Sequence, residues 1–165
     1  MALDFDDVFR KCAPFALRAL RGLGVHDRDV EDVCQEVFII VHRRKARFDG
    51  SSSVKTWVYG ICVRKAAEYR RSNSRRKEHS TAKPPEELVA APQIDSVHLE
   101  EVKLRLQRAL DHLDADKRAV FVLYEFEELT LAEIAEATET SINTVYSRLI
   151  AARKRVIAAI GKETA

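Results

Sequence analysis

The chain has 165 residues, of which 46% are apolar and 33% charged, and its formal net charge is +2. This composition excludes a wholly disordered chain, and no apolar run approaches the ~20 residues of a membrane-spanning helix. Only five residues are glycine, so we expect an all-α fold. The acidic N-terminus lacks the basic start of a secretory signal, and we therefore expect a cytoplasmic protein.

Three helices are predicted in the first half of the chain. The first spans residues 4–23 and ends at a Gly-Leu-Gly sequence, where glycine favours helix termination. The second begins near residues 27–29. Its apolar side chains recur at helical spacing and form one stripe: Val30, Val33, Cys34, Val37, Ile40 and Val41. A polar loop follows at residues 49–53, and the third helix runs over about residues 54–75.

The middle of the chain predicts a break between two domains. Residues 80–93 contain three prolines and few large apolar side chains, and proline blocks both helix and sheet hydrogen bonding. We therefore expect two small helical domains, at residues 1–78 and 98–165, joined by a flexible linker at residues 79–97.

Four further helices are predicted after this linker. They cover residues 99–113, then residues 117–124 behind a cap at Asp114, and then a short segment that Thr130 begins with a capping box. The last helix follows a three-residue turn and runs from Ser141 to about residue 160. Its inward stripe is predicted as Ile142, Val145, Leu149, Ala152 and Val156.

The short helix, tight turn and long helix at the end of the chain predict a helix-turn-helix. Ala135 is small where the two helices must cross closely. The polar start of the last helix and the five bases without an acid at residues 148–162 favour DNA binding. A helical hairpin inside a bundle would show the same spacing without binding DNA.

One face of the second helix carries polar and apolar side chains at positions i, i+3, i+4 and i+7. These are Asp32, Gln35, Glu36 and Ile39. Carboxylate and amide groups beside an exposed apolar side chain favour docking onto a basic partner helix. A solvated acidic face explains the same pattern when it is taken alone.

The loop at residues 48–53 leads into Trp57 and then into a basic helix. A polar loop, aromatic rings and a basic helical face are typical of surfaces that bind single-stranded nucleic acid. A buried position in the core is an equally good interpretation of Trp57.

The sequence offers no catalytic constellation. Cys12, Cys34 and Cys62 are widely spaced and predict buried thiols, with metal ligation or redox sensing as alternatives. We find no nucleophile with a base, no ligand set and no phosphate loop. We therefore expect no enzymatic activity, no cofactor and no small-molecule substrate.

Three motifs carry a family resemblance. Asp-x-x-Gln-Glu-x-Phe at residues 32–38, Phe-Asp-Gly-Ser…Thr-Trp at residues 48–57 and the terminal helix-turn-helix resemble the extracytoplasmic-function group of the sigma-70 family of RNA polymerase sigma factors. The resemblance covers nearly the whole chain. It implies a sigma region 2-like domain at residues 1–78 and a region 4-like domain at residues 98–165.

The resemblance implies partners and a cellular place. The first domain would bind the clamp helices of the largest subunit of core RNA polymerase, and the second would bind the polymerase flap. Both domains would bind promoter DNA, and an anti-sigma factor is expected, which would hold the protein at the membrane.

The resemblance also assigns residues to each contact. The clamp helices would contact Asp32, Gln35, Glu36, Phe38 and Ile39. The −10 element would contact Phe48, Asp49, Gly50, Ser51, Ser52, Ser53, Lys55, Trp57, Tyr59, Arg64, Lys65, Arg70 and Arg71. The −35 element would contact Asn143, Thr144, Tyr146, Ser147, Arg148, Ile150, Ala151, Arg153, Lys154 and Arg155.

Four positions depart from the pattern of the family. Arg64 stands where many members have asparagine, and Glu139 stands at a turn position where helix-turn-helix proteins often have glycine. Tyr146 and Ala151 stand where arginine is frequent. The main rival hypothesis is an ordinary helix-turn-helix regulator whose first domain senses a ligand or dimerises. Such a regulator needs neither the acidic face nor the aromatic and basic helix.

Overall fold

The structure, a computed structural model, describes residues 3–79 and 94–163, and all its elements are helical. In chain order they are α1 (Phe5–Gly22), α2 (Val30–Arg44), a 3-10 turn (Lys45–Arg47), α3 (Val54–His79), α4 (Ile94–Asp111), α5 (Ala115–Glu125), α6 (Leu131–Thr138) and α7 (Ile142–Glu163). The all-α prediction is confirmed. The proline-rich segment at residues 80–93 lies outside the described residues. None of the described helices is long and apolar enough to cross a membrane.

The first three helices pack against one another. Asp4 caps α1, and its carboxylate accepts a hydrogen bond from the Asp6 N–H at 3.0 Å. Gly24 follows α1 with φ at 101°, a conformation that side chains disfavour. The apolar stripe predicted for α2 is buried except for Ile40, which is half-buried. All three cysteines are buried and free, and burial raises the pKa of the Cys62 thiol.

Two of the last four helices, α5 and α6, begin at the caps that the sequence predicts. The Asp114 carboxylate accepts a hydrogen bond from the Lys117 N–H at 2.9 Å. At α6 the Thr130 hydroxyl accepts from the Glu133 N–H at 3.2 Å, and the Glu133 carboxylate accepts from the Thr130 N–H at 2.8 Å. These hydrogen bonds from Thr130 lower the pKa of Glu133. The capping box is confirmed.

The inward stripe of α7 is confirmed at four positions and wrong at one. Val145, Leu149, Ala152 and Val156 are buried, whereas Ile142 is 50% exposed. Ile142 is the first residue of α7. The stripe passes beyond the packed core at this end of the helix, so the side chain points into solvent.

Two helices are longer than predicted. The third helix continues to His79 instead of ending near Arg75, and the fourth begins at Ile94 instead of Leu99. Neither extension contains glycine or proline, the residues that most disfavour helix interiors. Both added segments are therefore compatible with a helix.

The two groups of helices share one buried core. Helix α3 packs along α6, and α1 touches α5. The continuous cluster of buried apolar side chains includes Leu20, Val37 and Val58 from the first group and Val122 and Ile134 from the second. A smaller cluster lies between α4, α5 and α7, around Leu110, Leu113, Phe121 and Val156. The helix-turn-helix is therefore docked against α3 in this structure.

Candidate functional site

The polar face of α2 is exposed as the sequence predicts. Asp32, Gln35 and Glu36 are exposed, and Ile39 retains 49% of its accessible surface. Phe38 is different, because it is 3% exposed and its ring lies edge-on to Phe9, with 4.8 Å between ring centroids. Phe38 therefore supports this surface from below and does not form part of it.

Lys65 lies beside this acidic face, where its side chain connects α3 to α2. Its ammonium group bonds the Glu36 carboxylate at 2.6 Å and the Glu68 carboxylate at 2.8 Å. These two acids raise the pKa of Lys65. The ammonium group of Lys65, which was predicted to contact the −10 element, is thus bound to carboxylates of the same chain and joins α2 to α3.

The loop at residues 48–53 is ordered by its own side chains. The Asp49 carboxylate accepts from the Ser51 N–H at 2.9 Å, which lowers the pKa of Asp49. Gly50 has φ at 74°, and a Cβ atom added there would meet nothing within 4 Å, so the turn faces open space. The Ser53 hydroxyl accepts from the Thr56 N–H at 3.0 Å and starts α3.

This loop opens onto a cavity of about 370 Å³ between α3 and α6. The ring of Trp57 is half-buried and packs on Phe48 with 5.1 Å between centroids. Trp57 is therefore partly packed, and it also lines the cavity. The cavity is lined by Ser51, Ser52, Thr56, Trp57, Gly60, Arg64, Glu136, Ala137 and Glu139.

Two predicted −10 residues on α3, Tyr59 and Arg70, are bound to other parts of the protein, and a third, Lys55, is exposed beside Tyr59. Tyr59 is completely buried, and its hydroxyl donates to the Glu127 carboxylate at 2.5 Å. Burial and this carboxylate raise the pKa of Tyr59. The Lys55 ammonium lies 5.7 Å from the centre of the Tyr59 ring. Arg70 donates to the Leu113 carbonyl oxygen at 3.1 Å. Tyr59 in particular cannot reach DNA here, because the second group of helices covers it.

Arg71 remains exposed on the same helix, together with the three bases that follow it toward the end of α3. The basic end of α3 is therefore exposed to solvent. The structure thus brings together the loop, Trp57 and Arg64, while Arg71 extends the basic surface beyond them.

The helix-turn-helix has the predicted short-turn-long geometry. Glu139 ends α6 in the left-handed conformation, with φ at 54°, and the Thr140 N–H donates to the Ala135 carbonyl at 3.0 Å. The Ser141 hydroxyl accepts from the Thr144 N–H at 3.1 Å and starts α7. The left-handed conformation costs a residue other than glycine about 1 kcal/mol. The turn between α6 and α7 nevertheless places Glu139 in this conformation.

The predicted −35 residues occupy the part of α7 that lies outside its buried stripe. Thr144, Arg148 and Ala151 are half-buried at its edge. The exposed members are Asn143, Tyr146, Ser147, Ile150, Arg153, Lys154 and Arg155. The Ser147 hydroxyl donates to the Thr144 carbonyl at 3.0 Å, which turns it back toward the helix in this structure.

Two of these arginines are held by acids of α5. Arg148 bonds Asp116 at 2.8 Å, and Arg153 bonds Glu125 at 2.6 Å. The guanidinium of Arg153 also lies over the Tyr124 ring, at 5.2 Å from its centre. The Glu125 carboxylate raises the pKa of Arg153. These arginines must leave their partners before they can contact DNA.

Sequence reasoning missed two charged residues at the contact between the helix groups. Arg118 is 1% exposed and donates to the Gly22 carbonyl and to the Asp111 carboxylate, both at 2.8 Å. Glu127 is 7% exposed and binds Arg18 and Tyr59. Arg118 directly precedes the apolar run of α5 and follows two other charged residues, so the sequence does not set it apart. Glu127 is one of six acids at residues 125–139, and nothing in the sequence distinguishes it from the others.

Comparisons with known proteins identify the family. The sigma-70 region 2 model matches residues 8–76, and the sigma-70 region 4 model matches residues 103–156. The RNA polymerase sigma-H factor of Pseudomonas aeruginosa is 31% identical over 142 residues, which cover 80% of this chain and 74% of that protein. The ECF RNA polymerase sigma-E factor of Escherichia coli K12 is 32% identical over 137 residues, covering 78% and 72%. This chain is an extracytoplasmic-function sigma factor.

Solved structures of sigma factors share its fold. The sigma factor RpoE of Bartonella quintana, in complex with the anti-sigma factor NepR, superposes with a TM-score of 0.70 at 20% identity. That match covers 96% of this chain and 97% of RpoE. CnrH, in complex with the cytosolic domain of CnrY, gives a TM-score of 0.71 at 21% identity and covers 96% and 88%.

The function of the chain follows from its family. A sigma factor of this type binds core RNA polymerase, directs it to specific promoters and initiates transcription. It is a transcription initiation factor and not an enzyme of the usual kind. Its partners are core RNA polymerase and promoter DNA.

Proposed function

We propose that this sigma factor docks on the polymerase clamp through the exposed face of α2. The observation that carries the proposal is the exposure of Asp32, Gln35, Glu36 and Ile39 on one helical face. Ionised and amide groups around an apolar centre are typical of a protein interface. We further propose that the division into residues 1–78, 79–97 and 98–165 corresponds to clamp binding with −10 recognition, a linker, and −35 recognition with flap binding.

The −10 element is bound in this proposal by the loop at residues 48–53 with Trp57, Arg64 and Arg71. A stiff polar loop next to a half-exposed indole can hold a base that has left the duplex. Arg64 would hydrogen-bond such a base, and Arg71 would hold the phosphates. Tyr59 is left out because it is completely buried. Lys65 and Arg70 are left out because they are half-buried and bound to Glu36 and Leu113, whereas Arg64 is exposed and its only described partner, Glu139, is exposed too.

The −35 element is bound by the outer side of α7. Residues in the first turns, such as Asn143 and Ser147, reach base edges in the major groove. Lys154 and Arg155, one to two turns further along, lie nearer the phosphates. Arg148 and Arg153 join these contacts after they leave Asp116 and Glu125.

The protein supplies binding energy for promoter opening, while core polymerase performs nucleotidyl transfer. We propose no catalytic residue and no cofactor in this chain. The sigma factors RpoE and CnrH are seen with the anti-sigma proteins NepR and CnrY, which supports an anti-sigma partner here. Such a partner would keep this sigma factor from polymerase in the cytoplasm, and a membrane-bound one would hold it at the membrane.

Transcription from purified components tests the proposal. Adding the protein to core polymerase should produce promoter-specific transcripts from genomic fragments, and an ordinary DNA-binding regulator would produce none. Replacing Asp32, Gln35 and Glu36 together with alanine should abolish core binding and transcripts without unfolding the chain.

The matched control replaces two acids and one amide on another exposed surface, at Glu100, Glu101 and Gln107 of α4. It removes the same charge and should leave core affinity unchanged. Equal core affinity of the two folded triple variants would overturn the α2 assignment.

A further inference from the structure

We propose that Lys65 is a positioning residue for core polymerase binding, because it holds the Glu36 carboxylate in place at the edge of the exposed α2 face. The proposal rests on the docking assignment given above and deepens it. It adds a side chain of α3 to a surface that otherwise belongs to α2 alone. It also departs from the family resemblance, which would place Lys65 on the −10 element.

The first step is the position of the Lys65 ammonium group between two acids. It is bound to Oε2 of Glu36 on α2 at 2.6 Å and to Oε2 of Glu68 on α3 at 2.8 Å. The Lys65 side chain is 18% exposed, whereas each of the two acids is 55% exposed. The ammonium group is therefore more enclosed than the carboxylates, and a molecule that approaches this surface meets the acids first.

The second step is the state of Glu36 before a partner arrives. Its Oε2 atom is bound to Lys65, while its Oε1 atom has no hydrogen-bond partner among the described residues. An unrestrained glutamate at a surface loses rotamer freedom when a partner fixes it, and this loss opposes binding. Lys65 fixes the carboxylate in advance and leaves one oxygen free to accept a hydrogen bond from the clamp. The lysine thus preorganises the docking face.

The third step is the balance of charge around Lys65. Glu36 and Glu68 bind the same nitrogen atom, so their carboxylates lie close together. Like charges at short range repel, and without the ammonium group one carboxylate would turn away or take up a proton. With the ammonium group present, two negative charges surround one positive charge, and the group still attracts a basic partner helix. Removal of Lys65 therefore disturbs Glu36 instead of simply releasing it.

The fourth step separates this role from the attachment of α2 to α3. A polar groove of about 270 Å³ lies between the two helices, and both Lys65 and Tyr69 line it. The Tyr69 hydroxyl donates to the carboxylate of Asp29, the N-cap residue of α2, at 2.6 Å. This bond is a second tether between the same helices, one turn along α3 from Lys65. Asp29 is not assigned to the docking face, so the two tethers differ in what they position.

The test compares two variants of the full-length chain that each remove one tether. Lys65→Met removes the ammonium group and keeps an unbranched side chain, whereas Tyr69→Phe removes the hydroxyl and keeps the ring. Affinity for purified core polymerase is measured by competition with the fluorescent wild-type chain. We expect Lys65→Met to bind core about threefold to tenfold more weakly than Tyr69→Phe. Lys65→Arg should restore most of the affinity, because it keeps a cation that can bind both carboxylates.

A double-mutant cycle with Glu36 provides the second readout. If Lys65 acts through Glu36, then Lys65→Met should change core affinity by less than about twofold when Glu36→Gln is already present. A lysine that only stabilised the fold would weaken binding by the same factor with either residue at position 36. That result would overturn the positioning role.

Transcription at saturating sigma factor provides the third readout. When the concentration of sigma factor far exceeds its dissociation constant, core polymerase is fully bound in every variant. The yield and promoter choice of Lys65→Met should then equal those of Tyr69→Phe, because the proposed −10 contacts are intact. A lower yield or a changed promoter choice at saturation would assign Lys65 to the −10 element and overturn the proposal.

The outcomes separate this inference from the function it rests on. Core affinity of Lys65→Met equal to that of Tyr69→Phe would overturn the positioning role, and a higher affinity would show that the lysine competes with polymerase for Glu36. Lys65→Gln gives the same comparison and decides the matter if Lys65→Met does not fold. Unchanged affinity in Glu36→Gln alone would overturn the docking assignment as well. Weakened binding by Glu36→Gln with full affinity in Lys65→Met would overturn only this inference.

Discussion

Glu125→Gln should strengthen binding to −35 duplex DNA. In the structure the Glu125 carboxylate holds Arg153 at 2.6 Å, and the two side chains are 31% and 46% exposed. Arg153 must give up this pair before it contacts a phosphate. Glutamine keeps the size of the side chain and removes its charge, so the arginine becomes available to DNA.

The exposure of this ion pair sets the size of the effect. Release of an arginine from an exposed pair corresponds to an affinity gain of about 1.4- to 5-fold. Each phosphate contact adds about 0.9 to the slope of log affinity against log salt. The variant should therefore bind more tightly at low salt, with a slope steeper by up to about 0.9.

The assay is duplex binding by fluorescence anisotropy at several salt concentrations. Glu128→Gln is the matched control, because Glu128 is exposed, lies in the loop after α5 and makes no ion pair that the structure describes. Equal gains for the two variants would show a general effect of charge and refute the release of Arg153. An unchanged salt slope in Glu125→Gln would refute it as well.

Three further predictions follow from the caps and from α7. Thr130→Ala should lower the free energy of unfolding by about 1 kcal/mol in urea titrations, and an unchanged midpoint would contradict the role of the capping box. The pKa of Glu133 is lowered in the folded state, so the ionised carboxylate stabilises the fold fully above the unfolded pKa of about 4.3, and this stabilisation is lost as pH falls through the folded pKa. Glu133→Gln should therefore lose less stability than wild type on acidification. Parallel curves of unfolding free energy against pH for the two proteins would contradict this. Arg155→Ala should weaken −35 duplexes uniformly and reduce the salt slope by about 1, whereas Arg148→Ala should relax sequence preference by roughly 1–3 kcal/mol at one base pair. The reverse pattern in matched and mismatched duplexes would contradict this division.

Local contacts explain why much of the fold is predictable from the sequence. The caps at Asp114 and Thr130 join residues three positions apart, so the residue types alone indicate them. The stripe of α2 repeats within one helix, and its burial needs only some partner on that side. The end of α3 was less predictable, because neither glycine nor proline follows His79 within four residues.

Contacts between distant parts of the chain explain what the sequence did not reveal. Arg18 and Glu127 are 109 positions apart, and each resembles an ordinary surface charge in its own helix or loop. Tyr59 was predicted to contact DNA because it belongs to an aromatic and basic helix. Its burial depends on the docking of the second domain, which no local pattern encodes. The ion pair of Lys65 with Glu36 was hidden from the sequence for a similar reason, since Glu36 lies on another helix.

Helix α3 runs without a break from Val54 to its basic end, so it fixes the distance between the two. At 1.5 Å per residue, about 29 Å of helix separate Trp57 from Arg76, comparable to about eight base-pair steps. On the proposed −10 surface, the spacing between the loop that would hold a base and the basic end of α3 is therefore set by one continuous helix. One residue inserted between them would turn the basic end by about 100° relative to the loop. The loop and the basic end would then no longer lie on the same side of the helix.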